Sequence, residues 1–129
     1  DFYTAEDINP VSLETLLEQS DIVTIHTPLD NSTRNLLNAQ RLSLLKPTAV
    51  LINAARGGLV DEVELKKMLQ EKRLAAAAFD VFAVEPPQDK DLLELPNFLV
   101  TPHIGGSAQE AILAMGRAAI NGLDDNKIP

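Results

Sequence analysis

The chain has 129 residues, 45% of them hydrophobic, and a formal charge of −8 with no cysteine. That length suffices for one buried core and falls short of two full domains, while the acidic balance without a Lys/Arg cluster argues against nucleic acid and anionic membrane surfaces as partners. There is no disulfide framework and no thiolate metal site, and no membrane-length apolar run or signal-like start is legible, so the composition predicts a soluble, cytoplasmic chain.

In chain order, a short extra strand is expected near Ile8–Val11, then a helix near Ser12–Gln19 and a strand over Asp21–Thr27. A helix near Asn38–Leu45, a strand over Thr48–Ala54, a helix over Asp61–Lys72 and a strand over Leu74–Val81 follow. The polar stretch Pro86–Pro96 reads as a surface loop with room for one helical turn, before a strand at Phe98–Thr101 and a last helix at Ser107–Leu123. Asp61 with Glu64, and Ser107 with Glu110, have the spacing of a capping residue and a returning carboxylate. Leu65, Met68 and Leu69 share one helical face, as do Ile112, Met115 and Ala119, giving each helix an apolar side to lay on a sheet. Short apolar runs alternating with helical spacing are the pattern of βαβ crossovers. The fold class is therefore α/β: a partial doubly wound, Rossmann-type parallel sheet with helices on both faces.

Three reactive groups follow strand ends: Arg56 after Ala49–Ile52, Glu85 after Ala78–Val81, and His103 after Phe98–Val100. In open α/β sheets that edge is where ligands bind. An arginine fork can take a carboxylate bidentately, which a lysine ammonium cannot reproduce. A histidine gives and takes protons near neutrality, and a neighbouring carboxylate favours its charged form. Read singly, each residue has an ordinary structural role: Arg56-Gly57-Gly58 as a solvated turn, Glu85-Pro86 as a surface turn, Asp80 as a local hydrogen bonder. His26, on an apolar strand, is read as structural. Their joint placement is what favours chemistry.

Three segments carry a resemblance: Asn53-Ala54-Ala55-Arg56-Gly57-Gly58-Leu59-Val60-Asp61-Glu62, Phe79-Asp80-Val81-Phe82-Ala83-Val84-Glu85-Pro86 and Thr101-Pro102-His103-Ile104-Gly105-Gly106-Ser107. In order and spacing they resemble the successive signatures of the D-isomer-specific 2-hydroxyacid dehydrogenases, and His26-Thr27-Pro28-Leu29 is similar to a fourth motif of that family. The resemblance implies hydride transfer between NAD, with NADP left open, and a D-2-hydroxy acid/2-oxo acid pair. Arg56, Glu85 and His103 would be the catalytic set. Asp80 would receive the nicotinamide carboxamide, Thr27, Pro28 and Ala54 would line the cofactor channel with Gly105 and Gly106 beside them, and Asp1 would stand at the acidic position that holds the adenosine ribose. A glutamate rather than a glutamine beside the histidine points away from the formate dehydrogenase branch. The family's glycine-rich turn and substrate domain are not in the sequence, so the chain is expected to be the later, C-terminal portion of a dinucleotide-binding domain, inactive by itself. The parent enzyme is expected to be a homodimer acting on a small-molecule substrate. The choice among glyoxylate, hydroxypyruvate, phosphoglycerate, lactate and phosphite stays open, as does a non-catalytic, dinucleotide-sensing corepressor of the same fold.

Overall fold

The computed structural model describes residues 8–125. In chain order the elements are α1 (Leu13–Gln19), β1 (Ile22–Ile25), α2 (Ala39–Leu42), β2 (Val50–Asn53), α3 (Glu62–Gln70), β3 (Ala76–Phe79), α4 (Lys90–Leu93), β4 (Phe98–Val100) and α5 (Gln109–Asp125). The strands form one parallel sheet in the order β1-β2-β3-β4. Their register sets Ile25 beside Asn53, Asn53 beside Phe79, and Phe79 beside Val100, so the C-terminal ends of all four strands form one row.

Alternate strand residues Val23, Ile25, Leu51, Asn53, Ala77, Phe79 and Phe98 are buried. Leu17 of α1, Leu42 of α2, Leu65, Met68 and Leu69 of α3 and Leu92 of α4 join that apolar core. Each such Leu contributes about 1.5–3 kcal/mol by leaving water. The opposite row is different: Ile22 is 64% exposed and Leu99 66% exposed, while Val50, Ile52, Ala76 and Ala78 are only half-buried. Helical cover is thus complete on one face, and the other is largely bare among the described residues. The reason is topological. Right-handed crossovers that step to the next strand in one constant direction put every connecting helix on the same side, and the second side fills only where the winding reverses.

Local signals account for the helix starts. Ser12 accepts from the Thr15 N–H at 3.1 Å, Asn38 from the Arg41 N–H at 3.0 Å, and Asp61 from the N–H groups of Val63 and Glu64 at 3.1 and 3.0 Å. Glu64 does not complete the expected reciprocal cap. Its carboxylate pairs with Arg73 at 2.8 Å, and the Asp61 N–H is donated to the Leu37 carbonyl instead. The strand expected near Ile8–Val11 is irregular backbone, with Ile8 46% and Val11 47% exposed; Pro10 brings no N–H to a ladder, and among the described residues no strand pairs with this segment. Nor does the stripe of α5 lie on the sheet: Ile112 is 55% and Met115 57% exposed, and Ala119 is exposed too. Amphipathic spacing gives a helix an apolar side, but the turn before it decides what that side meets. Here α5 begins at Gln109, two residues past the expected Ser107 start, with the Ile112 N–H bonded to the Ala108 carbonyl at 3.0 Å.

Candidate active site

Because the strand ends are level, His26, Ala54, Asp80 and Thr101 emerge side by side along one edge. The first loop is set by Asn53, which is 1% exposed. Its side-chain Oδ1 accepts the Ala55 N–H at 3.2 Å and its side-chain Nδ2 donates to the Arg56 carbonyl at 2.9 Å, closing a turn that leaves the Arg56 side chain exposed at the edge. One guanidinium nitrogen of Arg56 rests on the Ala55 carbonyl at 2.6 Å. Gly57 then passes directly against the next loop: a Cβ there would lie 1.9 Å from the Phe82 carbonyl oxygen.

The second loop leaves β3 through buried Val81 and Phe82, the latter packed in a cluster with Phe79 and Phe98 at centroid distances of 5.4–6.2 Å. Glu85 folds back so that Oε1 accepts the Phe82 N–H at 2.9 Å while Oε2 lies 2.8 Å from His103 Nδ1. Glu62, at the start of α3, accepts the Ala83 N–H at 2.7 Å. The His103 hydrogen bond and the Phe82 N–H hold the Glu85 carboxyl below its ordinary value, against a smaller opposing cost of burial. Burial pushes the Glu62 carboxyl up, the Ala83 N–H partly offsetting it and the neighbouring Asp61, Asp89 and Glu85 charges adding to it.

The third loop carries His103 at φ +53°, a left-handed conformation that costs a non-glycine residue about 1–2 kcal/mol. Asp80 lies beneath it, 8% exposed. Asp80 Oδ1 accepts from the Thr101 hydroxyl and from the Ile104 N–H at 2.9 Å, and Oδ2 accepts the Gly105 N–H at 2.8 Å. Burial raises the Asp80 carboxyl, but those donors outweigh it and leave the group below its ordinary value.

The structure therefore joins Glu85 to His103 directly and ties Asp80 to the His103 loop, while Arg56 stands apart over a hollow of about 290 Å³ shared with His26, Thr27, Pro28 and Ala54. A second, smaller hollow of about 130 Å³ shares Ala54 with it and is lined as well by Ala78, Asp80 and Thr101. Small side chains line both hollows, and the three donors on Asp80 leave one lone-pair position of Oδ2 without a partner among the described residues. A small-residue lining beside a carboxylate acceptor fits the nicotinamide end of a dinucleotide. Gly105 lies against Asp80, whereas Gly106 has nothing within 4 Å of an added Cβ. Asp1 lies outside the described residues. His26, read as structural, bonds Thr24 through Nε2 at 3.0 Å. Asn53, Gly57, Glu62 and Thr101 are the positioning residues that the reading of motifs did not single out. Each lies inside a signature, but Gly57 and Glu62 meet backbone of the next loop and Thr101 meets the Asp80 carboxylate, partners that only folding reveals, while Asn53 closes its own turn.

A family profile described as the D-isomer specific 2-hydroxyacid dehydrogenase, NAD binding domain, matches residues 2–105. The chain is 43% identical over 117 residues to glycerate dehydrogenase of Methylorubrum extorquens, covering 88% of this chain and 37% of that protein. It is 45% identical over 106 residues to D-3-phosphoglycerate dehydrogenase of Bacillus subtilis, covering 82% of this chain and 20% of that protein. Its fold superposes with a TM-score of 0.84 on a solved D-lactate dehydrogenase from Sporolactobacillus, at 39% identity over 94% of this chain and 41% of the other. The chain thus spans well under half the length of these relatives. All three are named as dehydrogenases, and the reading as a non-catalytic corepressor finds no support among them. The three signature loops, their shared edge and these matches agree: the chain belongs to the D-isomer specific 2-hydroxyacid dehydrogenase family, in its NAD-binding domain.

Proposed function

We propose that this chain is the later half of a dinucleotide-binding domain and works within a longer polypeptide, the parent, as an NAD- or NADP-dependent D-2-hydroxyacid dehydrogenase. The observation that carries the reading is the 2.8 Å contact between Glu85 Oε2 and His103 Nδ1 on the edge that also bears Arg56. With Nδ1 donating to the carboxylate, His103 presents Nε2 outward to a substrate oxygen. In reduction it delivers a proton from Nε2 to the carbonyl oxygen, and in oxidation it removes the hydroxyl proton. Arg56 holds the substrate carboxylate through its fork and polarises the adjacent carbonyl. Thr27, Pro28, Ala54 and Asp80, with Gly105 and Gly106 beside them, form the ledge for the nicotinamide, and Asp1 is assigned to the adenosine ribose. The nicotinamide supplies or accepts the hydride.

A small 2-oxo or 2-hydroxy acid is the substrate class, a cytoplasmic location fits the acidic, cysteine-free composition, and homodimeric assembly of the parent belongs to the same reading. Steady-state reduction of a panel of 2-oxo acids by the parent, followed at the nicotinamide absorbance, tests it. Turnover that falls at least a thousandfold in His103→Ala supports the assignment, and equal turnover in the variant refutes it. The 129-residue chain alone is expected to show none, because the backbone donors of a glycine-rich turn and the walls that exclude water from the hydride path lie outside it.

A further inference from the structure

We infer that Asp80 is the positioning residue of the histidine loop, fastening the end of β4 and the Ile104–Gly105 backbone so that His103 stays on Glu85. This rests on the dehydrogenase reading for its catalytic consequence, though the positioning itself does not. Asp80 stands one residue past β3, at the level of Thr101 one residue past β4. From there its two oxygens gather the Thr101 hydroxyl and the N–H groups of Ile104 and Gly105, donors that bracket His103 on both sides. The segment between those anchors turns through His103 at φ +53°, a left-handed conformation uncommon for any residue with a side chain. A carboxylate with three donors can hold it there; a free loop would relax, and the ring would leave the carboxylate of Glu85.

The fit at Gly105 supports the same assignment. A Cβ there would lie 2.9 Å from Asp80 Oδ2, so the backbone approaches the carboxylate as closely as a residue without a side chain permits. Asp80 is buried, whereas the His103 and Glu85 side chains are 51% and 37% exposed. The exposed pair performing the chemistry is thus held from beneath by a buried acid that need not touch the substrate. Three of the four lone-pair positions of its carboxylate are used in this way. A contact to the cofactor is a second, compatible task for the remaining one.

The test uses the parent with Asp80→Asn, Thr101→Val and Thr101→Ser. Asparagine offers one acceptor oxygen but sets an amide N–H against the Gly105 N–H, valine removes the hydroxyl donor without altering charge, and serine restores it. Two readouts are taken: kcat for 2-oxo acid reduction, and the ring ¹⁵N shifts of His103, which report whether the neutral ring carries its proton on Nδ1 or Nε2. Wild type and Thr101→Ser should hold the Nδ1–H tautomer against Glu85. Asp80→Asn and Thr101→Val should both lose that preference, with kcat down by about ten- to a hundredfold, the scale of a misplacement near 1 Å. Weakened cofactor binding with the tautomer preference intact in both variants overturns the inference, leaving Asp80 as a cofactor contact alone. A parent without turnover whose His103 tautomer still responds to Asp80→Asn and Thr101→Val would refute the dehydrogenase reading and uphold the positioning role.

Discussion

Gly57→Ala is the sharpest perturbation the structure offers, because the added methyl would stand 1.9 Å from the Phe82 carbonyl oxygen, 2.0 Å from its carbon and 2.5 Å from the Ala83 nitrogen. Ordinary contact begins near 3.4 Å, so the Arg56 loop and the Glu85 loop must separate by about 1.5 Å at that point. All the obstructing atoms are backbone. No side chain can rotate aside, and the Phe82 and Ala83 N–H groups are themselves fixed by Glu85 and Glu62. Overpacking of this kind costs about 1–3 kcal/mol of stability, and a shift beyond 1 Å between the carboxylate clamp and the proton carrier costs about a hundredfold in turnover. In the parent, thermal unfolding monitored by circular dichroism should show a lowered Tm. kcat/KM for 2-oxo acid reduction should fall about a hundredfold more than cofactor affinity does. Wild-type Tm together with wild-type kcat/KM would show that the two loops do not depend on each other.

Other perturbations separate charge from geometry. Arg56→Lys keeps the charge and loses the fork, so kcat/KM should drop by the equivalent of about 2–4 kcal/mol while cofactor Kd stays near wild type; equal losses in both would make Arg56 structural. Glu85→Gln keeps an acceptor for His103 Nδ1 and removes the carboxylate charge, so kcat/KM for reduction should fall while cofactor Kd stays near wild type, and wild-type turnover in that variant would dissolve the pair. Glu62→Gln retains an acceptor for the Ala83 N–H and removes a carboxylate that burial disfavours. It should leave Tm unchanged or higher near neutral pH, where Glu62→Ala lowers it. For wild type the signs then oppose one another. The depressed carboxyls of Glu85 and Asp80 contribute stability above their unfolded values, near 4.5 and 3.8, that is lost as pH falls through their lower folded values. The raised Glu62 instead favours the fold on acidification through its own range. Chemical denaturation from pH 7 to pH 3 should show the net loss shrink in Asp80→Asn.

Much of the fold was legible because its signals are local. Ser12, Asn38 and Asp61 begin their helices with the side-chain acceptors that the sequence displays, and the apolar runs locate all four strands to within three residues at each end. What escaped was relational. Glu64 stands at the right spacing to close a cap, but Arg73, brought back by the turn after α3, offers a charged partner and takes it. The apolar residues of α5 were visible as a helical stripe, whereas the exposed row of Ile22 and Leu99 lay within strands that read only as apolar runs. Which of them meet is decided by connection geometry and by handedness, and neither leaves a mark in residue type.

The site divides along the same line. Arg56, Glu85 and His103 stand out because three charged or titratable side chains follow the ends of three successive strands, and the last two meet at 2.8 Å in loops that leave adjacent, level strands. The residues between them gave no chemical hint. Gly57 fits the Arg56 turn against the Phe82 carbonyl. Glu62 takes the next N–H of that loop, Glu85 the one before it, and Asp80 gathers the histidine loop from below. The second and third loops are each held through backbone N–H groups by a carboxylate of the preceding motif, Glu62 and Asp80, and the first is packed by Gly57 against the second. A substitution at a silent signature position should then damage turnover through geometry, with the reactive side chains all still present. The Thr101 pair separates this from simple destabilisation: Thr101→Ser keeps the donor to Asp80 and should keep activity, whereas the isosteric Thr101→Val should lose activity out of proportion to any fall in Tm.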